Sequence, residues 1–209
     1  MSPAIKKPSR TKTPPDRDRL VRADAQRNVE LLLRAALAVF EKSGVDAPVR
    51  EIAEKAGVGV GTLYRHFPER SALIKAVVRQ EVDACAEAVS TLTSKHEPGE
   101  ALALWMQRLV DLIATKRGLA AALHSDNLAY KSLPEYFLAQ LTPVLKHLLD
   151  AARAAGAIRA DVDARELLLA GARLATPASE GDIPQARRMV ALLVDGLRYS
   201  GGARRKAVR

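Results

Sequence analysis

The residues best equipped for recognition chemistry lie in one stretch, Val49-Arg-Glu-Ile-Ala-Glu-Lys-Ala-Gly-Val-Gly-Val-Gly-Thr-Leu-Tyr-Arg-His-Phe67. Wound into two short helices joined at Gly57, it puts Ile52, Ala53 and Ala56 on the inner face of the first. Val58, Leu63 and Phe67 fill the matching face of the second. Val60, Thr62, Tyr64, Arg65 and His66 are left pointing outward. A short helix with hydroxyl, aromatic and basic groups on its free face has the chemistry of a major-groove reader. Thr62, Tyr64 and His66 can hydrogen-bond phosphate, Arg50 and Arg65 can reach guanine edges or phosphate, and Val60 can touch a thymine methyl. Helices this short do not hold alone, so they must dock on a longer neighbour.

Other chemistries find no support. The run Gly57-Val-Gly-Val-Gly61 is not G-x-G-x-x-G and sits between helices rather than after a strand, so it does not read as a nucleotide loop. Gly61 inside a helix still needs a reason, because glycine weakens helices. Close approach of DNA is one reason; close packing against the preceding helix is the other. His66, His96, His124 and His147 are scattered and Cys85 is the only cysteine, so neither a metal site nor a disulfide is expected. Cys85 falls on an apolar stripe and reads as inert core. No nucleophile–base pair, paired carboxylates or cofactor loop is visible, so neither an enzyme nor a cofactor is expected.

The elements that must position these residues are helical throughout. Val29, Leu32, Leu33, Ala36, Val39 and Phe40 recur at helical steps, predicting a helix from an Asp24 N-cap to a stop at Gly44. Short helices follow over 48–56 and 60–66, then a long one over 71–91. Beyond Pro98-Gly99 the pattern predicts helices at 99–116, 118–125, 132–155, 163–175 and 184–199, with Asp163 an N-cap. No strand alternation appears, so the expected fold is all-α. The formal charge of the 209 residues is +9, and much of it is terminal. Lys6, Lys7, Arg10, Lys12, Arg17, Arg19 and Arg22 crowd the start, and Arg198, Arg204, Arg205, Lys206 and Arg209 the end. Basic ends on a near-neutral body suit phosphate, though solubilising tails look the same. Residues 1–21 lack apolar periodicity and read as a disordered basic tail, as do 200–209. No apolar run is long enough to span a bilayer and no secretory signal opens the chain, so a soluble cytoplasmic protein with no membrane partner is expected.

The helix 24–42, the paired short helices 48–67 and the continuation Pro68-Glu-Arg-Ser-Ala-Leu-Ile-Lys-Ala-Val77 together resemble the N-terminal domain of TetR-type transcriptional regulators. The resemblance rests on Ile52-Ala-(x)2-Ala-Gly57-Val58, Gly61-(x)-Leu63-Tyr64-(x)-His66-Phe67 and Ala72-Leu73. It implies a three-helix helix-turn-helix DNA-binding domain over 22–70 and a helical ligand-binding and dimerisation domain over 71–199. Carried over by position, Tyr64, His66 and Arg70 would grip phosphates, while Arg50, Val60, Thr62 and Arg65 face base edges; Gly61 belongs to the same DNA face. Hydroxyl residues common in the family are missing near Ala47–Pro48 and at Gly59. The segments Leu104-Trp-Met-Gln-Arg-Leu-Val-Asp and Lys116-Arg-Gly-Leu-Ala-Ala-Ala-Leu are similar to an actinobacterial subgroup.

The last two helices would then pair with a second copy. Their candidate interface residues are Leu167, Gly171 and Leu174 in one and Met189, Leu193 and Leu197 in the other. Trp105, Met106, Leu109, Tyr136, Phe137 and Gln140 are candidates to line an effector pocket between 99–116 and 132–155; His124, beside Asp126 and Asn127, is another. Each has ordinary core or surface placement as its alternative. The expected function is a homodimeric repressor, bound to double-stranded DNA at a near-palindromic operator and released by an unidentified small apolar or aromatic effector. The alternative is a ligand-independent DNA-binding regulator without a pocket.

Overall fold

The computed structural model describes residues 15–114, 128–159, 161–176 and 182–198. Among them it holds eight α-helices and no strand, the all-α architecture expected. They are α1 (Pro15–Ser43), α2 (Val49–Lys55), α3 (Val60–His66), α4 (Arg70–Lys95), α5 (Pro98–Ala114), α6 (Leu133–Ala154), α7 (Ala164–Ala175) and α8 (Ile183–Leu197). A 3-10 turn at Leu128–Tyr130 precedes α6. The helix expected at 118–125, with His124, lies outside the described residues, as do 1–14 and 199–209.

The main departure is at the start. Helix α1 begins at Pro15, so Asp24 is interior rather than an N-cap, and residues 15–21 are helical rather than part of a disordered tail. Apolar periodicity was the wrong criterion there. Proline is well suited to a first helical turn, acids favour that end, and the Arg, Leu, Ala and Gln residues that follow are good helix formers without an apolar stripe. Elsewhere the ends follow the expected punctuation. Gly57 turns the chain after α2 with φ 69°, a conformation that side chains disfavour. Asp163 caps α7, accepting from the Glu166 N–H at 2.9 Å. The helix α6 runs through Pro143.

The buried side chains form one continuous cluster, in which α4 joins two groups of helices. Leu32, Ala36 and Phe40 of α1 meet Ile52, Leu63, Leu73 and Val77 in a core beneath α2 and α3. Farther along α4, Val82 and Cys85 continue the cluster toward Leu102, Trp105, Met106 and Leu109 of α5. Leu141, Leu145 and Leu148 of α6, Leu168 of α7 and Val190 and Val194 of α8 complete it. The Trp105 indole donates to the Cys85 carbonyl at 3.0 Å, so the buried N–H is satisfied while the ring fills the α4–α5 seam. Among the described residues no helix is long and apolar enough to cross a membrane.

Candidate nucleic-acid interface

The site is built by two seven-residue helices and the turn between them. Ile52 and Ala53 of α2 and Leu63 of α3 are buried, and Phe67, just past α3, closes the same core. The turn is tight: Gly57 N–H donates to Glu54 O and Val58 N–H to Ala53 O, both at 3.0 Å. Helix α3 starts from Gly59 in extended conformation without a side-chain cap, and Thr62 N–H returns to Gly59 O at 2.9 Å. Burying Leu63 and Phe67 turns the rest of α3 outward. Val60 is 37% exposed and Tyr64 48%, Gly61 and Arg65 are exposed, and Thr62 and His66 are half-buried. Arg50 is exposed on α2. Helix α3 carries no acid, so its free face presents only neutral and basic groups.

The two readings of Gly61 separate here. A Cβ at this position would meet nothing within 4 Å, so packing against α2 does not explain the glycine. The space lies outside the chain.

Arg70 is placed differently from the expected phosphate grip. It is half-buried, its Nε donates to Val45 O at 2.7 Å, and its Nη2 donates to Ala47 O. These donors are spent on the loop between α1 and α2.

The expected effector pocket is not assembled as a cavity wall by the described residues. Trp105, Met106 and Leu109 are wholly buried, and Phe137 nearly so. Gln140 points to solvent from the outer face of α6. Half-buried Tyr136 turns toward α4, donating to Asp83 Oδ1 at 2.6 Å beneath the Arg79 guanidinium, which sits 5.0 Å from its ring centre. Burial and the bond to the Asp83 carboxylate push the Tyr136 hydroxyl up to about 12, with Arg79 opposing. A cleft of about 810 Å³ lies instead between α1 and α4, lined by Gln26, Glu30, Lys75, Arg79, Asp83 and Glu87 among others. Val29, Leu33, Ala72, Ala76 and Ala84 share its lining with these charged groups, and it is not the place between α5 and α6 that was expected. Nothing in the sequence pairs Asp83 with Tyr136, because they sit on separate helices of ordinary pattern.

The expected dimer residues divide into two groups. Leu167, Gly171 and Leu197 face the chain's own core, and a Cβ on Gly171 would come within 2.7 Å of Met106 Cε. That glycine serves α5–α7 contact, not a partner. Leu174 is 39% exposed, and Met189 and Leu193 are half-buried. Leu192, at 62%, is the most exposed apolar side chain of α8.

Comparison with known proteins shows the family. Residues 32–77 match the tetR family of bacterial regulatory proteins, and residues 97–199 match the C-terminal domain of SbtR-like transcriptional regulators. A TetR transcriptional regulator of Streptomyces coelicolor is 38% identical, with a TM-score of 0.67 over 82% of this chain and 99% of that one. The chain belongs to the TetR family. A TetR regulatory protein of Mycobacterium vanbaalenii is 36% identical, with a TM-score of 0.67 over 86% of this chain and 99% of its own. A helix-turn-helix-type regulator of Staphylococcus aureus strain USA300 is 36% identical over 64 residues, 30% of this chain and 35% of that protein. The chain thus matches about a third of the length of the curated relatives. The TetR-family match at 32–77 contains the whole α2–α3 surface described above.

Proposed function

We propose that this TetR-family chain is a DNA-binding transcriptional repressor, acting as a homodimer on a near-palindromic operator. The outward face of α3 carries the reading: Val60 and Tyr64 are large apolar groups left exposed beside Arg65 and the open space at Gly61. An aromatic and a valine on a free basic face fit a groove better than water. In this reading Tyr64 and His66 hold phosphates, while Arg50, Val60, Thr62 and Arg65 meet base edges. Leu174, Met189, Leu192 and Leu193 supply an apolar surface on α7 and α8 for a two-fold partner, which must set the reading helices about 34 Å apart, or a multiple of that.

Release by a small apolar effector is the finer part of this proposal. The complete burial of Trp105, Met106 and Leu109 favours the second reading, a regulator that needs no ligand there. An effector at that place has to displace packed side chains before it binds.

Selection from a random-sequence duplex pool, followed by anisotropy titrations, tests the main reading. Tyr64→Ala should weaken binding to all sequences while keeping its salt dependence, because a neutral hydroxyl on phosphate displaces no counterion. Arg50→Ala should relax preference at one base pair, by about 1–3 kcal/mol if the arginine is bidentate to guanine. A wild type that enriches no sequence, or two variants with full affinity, overturns it.

A further inference from the structure

Arg70 is the first residue of α4, and the carbonyls it holds belong to the loop 44–48 between α1 and α2. That loop leaves α1 through Gly44 and folds back, with Ala47 N–H donating to Gly44 O at 3.2 Å. It ends at Pro48, whose carbonyl accepts from Glu51 N–H at 3.0 Å. Pro48 is also the N-cap of α2 and supplies no side-chain cap. The entry to α2 is therefore tied from outside, by a guanidinium on the first turn of α4. Two nitrogens of one rigid plane donate to two carbonyls of one loop, an arrangement that a single ammonium cannot reproduce. The donors carry charge and the side chain is half-buried, and both features strengthen such bonds.

We propose that Arg70 is a positioning residue for DNA recognition: it clamps the α1–α2 loop to the first turn of α4 and so sets how α2 presents Arg50, rather than gripping phosphate itself. The proposal rests on the DNA-binding reading and assigns a residue beyond the reading face. Arg50 lies at the second position of α2, directly after the clamped loop. A loop free to shift changes where that guanidinium points, while the number of phosphates met by α3 stays the same.

The test compares Arg70→Lys and Arg70→Ala with wild type in three measurements. Arg70→Lys keeps the charge and most of the aliphatic stem, so it carries the comparison if the alanine variant unfolds. In the free protein, amide hydrogen exchange at Ala47 and Glu51 should speed up by about tenfold in both variants, with Leu63 unchanged. Affinity for the selected operator should fall by about tenfold, while non-operator duplex binding stays within about twofold of wild type. The salt dependence should keep its slope, and lysine should not rescue.

If lysine restores affinity and alanine flattens the slope by about 0.9 per lost contact, Arg70 grips phosphate and the proposal is wrong. Unchanged exchange at Ala47 and Glu51 also overturns it. So does faster exchange with full operator discrimination, which would make the clamp structural only. A wild type that selects no sequence removes the DNA-binding reading itself, and the clamp's role in recognition with it.

Discussion

Replacing Gly61 with alanine separates stability from recognition more cleanly than any other single change on α3. Gly61 has no positive φ, so an L-residue adopts its backbone without strain. The new methyl meets nothing within 4 Å, so there is no overpacking to offset. What remains is the gain from restricting the unfolded chain and raising helix propensity, about 0.5–1 kcal/mol, toward the lower end because the position is near the helix start. Across a chain of this size that is a rise in melting temperature of roughly 1–4 °C. In the proposed complex the same methyl would stand between the α3 backbone and the duplex, and affinity should fall by about tenfold or more. Denaturant unfolding of the free protein and anisotropy with the selected operator measure the two effects separately. A destabilised variant refutes the account of open space. A stabilised variant with unchanged DNA affinity refutes the claim that the glycine is kept for the duplex.

Two further outcomes follow from packing. On the proposed homodimer, Leu192→Glu should leave each chain folded, because the side chain is exposed, and turn a dimeric wild type into monomers at micromolar concentration by light scattering. Unchanged mass would move the interface off α8. Burial pushes the Cys85 thiol up to about 12, with Asp111 adding to the rise and Arg108 opposing it. Native protein should therefore resist iodoacetamide between about pH 7 and 9 and react only on unfolding, and prompt modification of folded protein would contradict the buried placement of that residue.

The helix-turn-helix was legible because everything that defines it is local. Val60–His66 forms a helix over the range its pattern predicts, Gly57 makes the turn, and burial of Leu63 and Phe67 leaves Tyr64 and Arg65 outside by helical geometry alone. The Asp163 cap is equally local. At the other end the same criterion misled, since α1 is extended by good helix formers with no apolar stripe to announce them.

What the tertiary structure alone decided is which side of a wide apolar face is spent on the chain's own core. Periodicity shows that Leu167, Gly171 and Leu174 share one helix, but only packing shows that Gly171 is filled by Met106 and Leu109 while Leu174 stays exposed. Trp105 likewise reads as a candidate pocket residue until its N–H is found on the Cys85 carbonyl. Arg70 is the strongest case. Its partners are backbone carbonyls at Val45 and Ala47, and every residue type offers the same carbonyl. Sequence determines which side chains can make such a bond; only the folded path of the chain, bringing α4's first turn beside that loop, determines which groups receive it.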